Sequence, residues 1–393
     1  MKSGFRLGRL FGISIIIDWS WILIFVLVSW NLSVTFGAGH QDWGAGLQWG
    51  LAFTAALIFF ASVLAHEIAH SLVARLSGIS VKSITLFLFG GVSNIQREPS
   101  SPLADFLIAI VGPLTSFLLG FIFLVWAWLL MPGGATSITD PAAGLSQLDP
   151  FTTMLLWLGS VNLVVGAFNL IPGYPLDGGR VVRSVIWKIT EELRTATRWA
   201  AFLGQGIAWM MILAGIAMFF GANVPYIGTG LSNGIWLAFI GWFLNSAAVQ
   251  SYQQTVVQDI LEDVQVNRLM NPHPEIVTSN LLVESLVSDY ILRSGDEAYP
   301  VMSEDGQVLE GLVTLDHVRK ISREKWKRLN VKDIMTPFEK LFLVNPEEEA
   351  TEALRFLSKN EVKQLLVVRG RELIGILRRR DILRWLQVFE KRT

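Results

Sequence analysis

The sequence predicts a polytopic α-helical membrane domain of six transmembrane helices, followed by a smaller cytoplasmic α/β domain built from a repeated unit. Three observations carry this prediction. Hydrophobic residues make up 52% of the 393, with 15 Trp and 24 Phe, and the mean hydropathy is +0.46. A water-soluble chain of this length does not carry such a load. Six stretches, near 11–31, 48–72, 103–131, 151–172, 199–221 and 233–250, are long enough to cross roughly 30 Å of hydrocarbon. After about Asp259 charges become frequent and apolar runs shorten to strand length. The net charge of −1 says nothing of nucleic acid, which is not expected as a partner, and the absence of cysteine excludes disulfides and Cys-ligated zinc.

Positive charge orients the spans. The first is preceded by Lys2, Arg6 and Arg9 and followed by no small-residue cleavage site, so it reads as a retained span. Arg75, Lys82 and Arg97 separate the second and third spans, and Arg180, Arg183, Lys188 and Arg194 separate the fourth and fifth. The alternate loops near 32–47, 132–150 and 222–232 hold no Lys or Arg, so both termini are expected on the cytoplasmic side of a cell membrane. Asp18 reads as a cap or a partner within the bundle, Asn162 as an interhelical hydrogen bonder, and His40 as a solvated loop residue.

The second span carries His66-Glu67-Ile68-Ala69-His70. Four residues apart on a helix, the two imidazoles project from one face and suit two ligands of a tetrahedral Zn²⁺, with Glu67 beside them as general base. Ionisable residues in an apolar run are costly, which favours a functional reading over chance. The site lies within a turn or two of Arg75, near the inner interface, where a short polar route can bring water.

Two histidines leave a catalytic zinc site one protein ligand short. The fourth span ends Asn169-Leu170-Ile171-Pro172-Gly173-Tyr174-Pro175-Leu176-Asp177-Gly178-Gly179. Two prolines three residues apart unwind a helix, and broken backbone at membrane depth is tolerated where it lines a cavity or is buried in protein. Asp177 reaches the same leaflet as the histidines. It reads either as the third ligand or as the cap of a helix beginning near Gly178. Between the second and third spans, Val81–Ile95 is too short to span as a helix, and Gly90-Gly91 divides it as a hairpin turn would.

The pairing of HEIAH with Asn169-x-x-Pro172-x-x-Pro175-Leu176-Asp177-Gly178-Gly179 resembles the site-2 protease family of intramembrane zinc metalloproteases, over about residues 10–200. The resemblance implies one Zn²⁺ per chain held by His66, His70 and Asp177, with Glu67 activating water and Asn169 orienting substrate or stabilising an oxyanion. It also implies a membrane-embedded β-hairpin at Val81–Ile95. There Phe89, Gly90, Gly91 and Asn94 would meet an extended substrate by strand addition, the alternative being a surface hairpin with no substrate role. Substrates would be single-pass transmembrane proteins in the lipid bilayer. One departure stands out: the family often has Asn shortly after the Gly-Pro of the third span, where this chain has Leu114, Thr115 and Ser116.

In the tail, Val266-x-x-x-Met270-x-Pro272 returns as Val331-x-x-x-Met335-x-Pro337, each opening a strand, helix, two strands, helix unit. This resembles a tandem pair of CBS domains, at 259–325 and 326–393, behind a membrane domain at 1–255. The resemblance implies a regulatory or substrate-docking module, an adenine nucleotide as ligand and a homodimer through the pair. The nucleotide signature Gly-x-x-Thr/Ser-x-x-Asp is incomplete: Gly311, Thr314 and Asp316 run one residue short, and Gly375 and Asp381 flank Arg378 at the hydroxyl position. Arg378, Arg379 and Arg380 read equally as phosphate ligands or as a solvated basic turn, and His273 and His317 read as surface residues.

Two other classes remain. A CBS-regulated transporter or channel also uses broken helices, but it would carry a second set of midplane charges. A catalytically silent scaffold with structural zinc would close the metal with four protein ligands, and three are evident.

Overall fold

The computed structural model describes residues 4–88, 90–95, 98–131, 148–224, 228–294, 296–360 and 362–390. It divides into two compact units, Met1–Gln253 and Gln254–Thr393.

The first unit does not begin with a helix at residue 11. Residues Gly4–Leu10 (β1) and Ile13–Asp18 (β2) are strands, paired antiparallel. Ile15, Ile16 and Ile17 form a β-branched run, stiff at χ1 and suited to a pleated surface, and this local preference moves the first helix downstream. Asp18 then caps that helix, α1 (Trp19–Gly39), its carboxylate accepting the Ser20 N–H at 2.9 Å. β2 runs parallel to β3 (Val81–Phe87), which pairs antiparallel with β4 (Gly90–Ile95), so the sheet order is β1-β2-β3-β4. The expected hairpin is therefore half of a four-stranded sheet. Phe87 faces Gly90, so Gly90 and Gly91 open β4 instead of forming the turn. Gly90 has φ of +129°, a conformation open to glycine. Phe89 lies outside the described residues.

The helices that follow are α2 (Ala45–Leu76), α3 (Pro102–Leu130), α4 (Pro150–Asn169), α5 (Asp177–Thr190), α6 (Leu193–Phe219) and α7 (Leu231–Leu261). Ser101 and Asp149 cap α3 and α4, each with a proline just inside the helix. Among the described residues five helices are long and apolar enough to cross a membrane, namely α1, α2, α3, α4 and α6. The stretch expected as a sixth lies in α7, where Asn233, Asn245 and Gln250 dilute the apolar run. His40 is buried, not solvated. It ends α1 with its ring stacked on Trp43 at 3.8 Å and its Nε2 3.2 Å from Thr153 Oγ1. Asn162 donates to the Leu158 carbonyl of its own helix rather than across the bundle.

The second unit holds two small sheets. One has the order β5-β6-β7-β8, with β5 at Val277–Thr278, β6 at Ala298–Met302, β7 at Leu309–Thr314 and β8 at Thr336–Pro337. The other is β11-β10-β9, with β9 at Leu343–Val344, β10 at Gln364–Arg369 and β11 at Glu372–Arg378. The leading segment of each repeat lies against the sheet of the other. Asn271 exchanges two backbone hydrogen bonds with Ile376, while β8 pairs with β7 at Gly311 and Leu312. Met270 seats against Gly375 and Met335 against Gly311. Val264, Val266 and Leu269 accordingly belong to the core of the second repeat, and Val331 to that of the first.

Candidate metal centre

Helix α2 presents His66 and His70 one turn apart, both buried. Asp177 is the first residue of α5, with Leu176 in the cap position. Its carboxylate has turned to the histidines: Oδ2 stands 3.1 Å from His66 Nε2 and 3.1 Å from His70 Nε2, and the two Nε2 atoms are 3.0 Å apart. The broken segment produces this convergence. The chain leaves α4 at Asn169, turns through Pro172 and Pro175, and starts α5 with Gly178 packed on the Leu170 and Ile171 carbonyls.

The remaining ring nitrogen of His70 fixes the tautomer of that imidazole. His70 Nδ1 lies 2.5 Å from the Ile108 carbonyl, which only accepts, so this nitrogen carries the proton and Nε2 a lone pair. His66 Nδ1 lies 2.9 Å from Ser116 Oγ. With His66 in the same tautomer, two imidazole lone pairs and a carboxylate oxygen meet at 3.0–3.1 Å, a repulsion that a cation between them relieves. Donors of a tetrahedral zinc, at about 2.0–2.2 Å from the metal, stand roughly 3.3 Å apart. The three residues fit Zn²⁺ in chemistry and in spacing, and among the described residues they form a group that could hold a metal ion.

One face of α3 supports both sides of the site. Ile108 and Ser116 hold the histidine rings, and Gly112 lies between them, where a Cβ would come 2.2 Å from His70 Nε2. At the start of the same face Asp105 is wholly buried. It accepts from Arg183 Nε and Nη2 at 2.7 Å each and from Arg180 Nη2 at 2.9 Å, which ties the first two turns of α5 to α3. Arg183 also reaches Glu98 at 3.2 Å and lies over the Tyr174 ring. From the sequence these arginines served orientation alone, Gly112 and Ser116 stood out only at the departure from the family's Gly-Pro pattern, and Asp105 and Ile108 carried no role. A signal was available for Asp105, the sole charge in its apolar stretch, since a lone intramembrane carboxylate needs a partner.

Glu67 Oε2 accepts from Ser93 Oγ of β4 at 2.8 Å. Gly91 packs on the Glu67 side chain, whereas Asn94 is exposed farther along the strand. Asn169, the last residue of α4, donates its amide to the Val165 carbonyl at 3.1 Å.

In the second unit the candidate nucleotide residues fall in two cavities. Thr314 and Asp316 line one of about 260 Å³ together with His317, Lys340 and Lys363. Arg378 and Asp381 line another of about 620 Å³ with Arg268, Arg380 and Arg384. Each has an internal partner. Thr314 and His317 form a reciprocal cap of the helix Leu315–Arg319, which half-buries the histidine. Asp316 is within salt-bridge distance of Arg319 and Lys363. Arg378 and Arg380 both meet Asp296, Arg378 at 2.6 Å, and Asp381 accepts the Arg378 N–H at 3.0 Å.

Comparison with known proteins agrees with both units. The family model for peptidase family M50 matches residues 54–214, and that for the CBS domain matches residues 331–388. A Mycobacterium tuberculosis protein named as a zinc metalloprotease, Rip3, is 34% identical over 390 residues, covering 99% of this chain and 94% of that one. The zinc metalloprotease MJ0392 of Methanocaldococcus jannaschii is 28% identical over 394 residues, covering 99% and 98%. Among solved structures, a site-2 protease from the same archaeon matches 63% of this chain and 94% of its own, at 28% identity and a TM-score of 0.41.

Proposed function

The chain belongs to peptidase family M50 as a zinc metalloprotease with a CBS domain, and from that premise we propose that it hydrolyses peptide bonds within transmembrane segments of membrane-anchored proteins, near the cytoplasmic face. The observation that carries the reading is the meeting of His66, His70 and Asp177 at 3.0–3.1 Å with Glu67 next in sequence to His66. A Zn²⁺ held there would supply Lewis acidity, which polarises a carbonyl and makes water nucleophilic near neutral pH. Glu67, which is not one of the three donors, takes the proton of the attacking water and returns it to the leaving amine. Asp177 and the two histidines hold the metal, and Asn169 orients the substrate carbonyl.

Helical peptide bonds are internally hydrogen-bonded, so a substrate must extend before it is cut. Strand β4, at the edge of its sheet, offers a template for pairing. The basic loops put both termini in the cytoplasm and the histidines within roughly 10 Å of that interface. The CBS pair acts there as a regulatory or docking module, taking an adenine nucleotide and joining two chains. The test is zinc stoichiometry measured together with cleavage of a membrane-anchored reporter by the purified protein. One zinc per chain and a cut inside the reporter's transmembrane segment are expected. A zinc-loaded protein that leaves the reporter intact, or cuts only outside that segment, overturns the reading.

A further inference from the structure

We propose that Ser93 is a positioning residue for Glu67, and that through it β4 sets the orientation of the carboxylate. The inference rests on the reading of Glu67 as the base. Ser93 Oγ lies 2.8 Å from Glu67 Oε2, 3.1 Å from Ser71 Oγ and 3.4 Å from the Glu67 carbonyl. A hydroxyl has one proton to give, and a carboxylate is the stronger acceptor. The arrangement therefore reads in one direction: Ser71 donates to Ser93, and Ser93 donates to Glu67. Ser71 is fully buried, so water does not compete for its proton. Ser71 and Glu67 stand one turn apart on α2, while Ser93 comes from the sheet, so the chain of hydroxyls ties helix to strand.

The strand also confines the base sterically. Gly91 lies so close that a Cβ there would come 2.4 Å from Glu67 Cγ. With Gly91 on one side and Oε2 taken by Ser93, Oε1 is the oxygen left to receive a proton from water. Gly91 and Ser93 are alternate residues of β4 and share one face of it. An extended substrate paired to the outer edge of β4 would fix the strand that holds the base, so occupancy of the edge and readiness of the carboxylate are linked.

The experiment compares Ser93→Ala, Ser93→Thr and Glu67→Gln in the full-length protein, with kcat, KM and bound zinc measured on the same preparations. A partner that orients a metal-ligating side chain is worth roughly 10–100-fold in affinity or activity, and a partner that orients the base beside the metal is expected to act on a similar scale. Ser93→Ala should lower kcat by about that factor, with KM and zinc content unchanged, and Ser93→Thr should recover most of the loss. Ser93→Ala with wild-type kcat overturns the proposal, as does a loss of zinc, or a rise in KM alone, which would make Ser93 a fold or substrate contact. Glu67→Gln separates the two layers. Retained turnover there removes the base reading itself, whereas lost turnover beside an active Ser93→Ala removes only the role of Ser93.

Discussion

The surroundings of His66, His70 and Asp177 and the two cavities of the second unit use similar residue types to opposite effect. Around the histidines polar side chains are few and engaged: each imidazole Nδ1 has a partner on α3, and the wholly buried Asp105 has two arginines. In the second unit carboxylates and arginines are plentiful, and several that face the cavities already cap a helix or neutralise a neighbour. The difference is one of cost. Desolvating a charge takes several kcal/mol unless partners compensate, so a charge retained in an apolar unit carries information, whereas one in a solvated unit is close to free.

The sharpest way to break this contrast is to remove chemistry without removing a ligand. Glu67→Gln is expected to lower turnover by two to four orders of magnitude while zinc stays bound, and His66→Ala or His70→Ala to lose both. Near-normal turnover in purified Glu67→Gln would end the contrast at its strongest point. Asp177→Asn comes next, with weaker zinc retention and activity lower by orders of magnitude. A residue that only capped a helix would tolerate this change, since Asn caps as well as Asp.

Asp105→Asn probes the support. It leaves Arg180 and Arg183 in a buried site with their principal counter-charge gone, and breaking a buried pair costs about 3–5 kcal/mol. Thermal unfolding should shift down and zinc should dissociate faster, because α5 carries Asp177. An unchanged midpoint with unchanged zinc would show that α5 is held by other contacts.

Two smaller effects address the second unit. ATP and AMP titrated calorimetrically into the protein should give heat, and Asp296→Asn should tighten binding, since Asp296 competes with phosphate for Arg378 and Arg380. No heat at millimolar nucleotide rejects nucleotide sensing. The smallest effect is a pH slope. Burial first, and Lys320 second, hold the His317 imidazole below its usual 6.5. The folded unit resists a proton that the unfolded chain accepts, so stability is full above about pH 6.5 and declines as pH falls through the range below it. His317→Asn should flatten that decline in melting curves of the second unit's transition.

The same contrast governs what the sequence disclosed. HEIAH and the Pro172–Asp177 break were legible because helical spacing and proline chemistry act locally. The supporting roles on α3 were not, since Ile108 contributes a backbone carbonyl, Gly112 only an absence of bulk, and Ser116, noted only as a departure from the family pattern, a common hydroxyl. The first helix was misplaced because an isoleucine run satisfies an apolar span and a strand alike, and pairing with β3, some seventy residues away, decides between them. His40 was misread because burial against Trp43 and Thr153 is a tertiary matter. In the tail, the recurrence of Met270 at Met335 identified the repeat, but not that each methionine serves the other copy.

That exchange couples the order of synthesis to the order of assembly. Residues 266–271 leave the ribosome long before strand β11, which receives them, and the first repeat lacks its fourth strand until Thr336 has emerged. In isolation the first half lacks strand β8 and the second lacks the Asn271 bridge and the core residues Val264, Val266 and Leu269, so the pair is expected to nucleate late and to fold and melt as one cooperative body. A proteolytic nick between the repeats, or a frameshift in the second, would therefore cost the protein both at once.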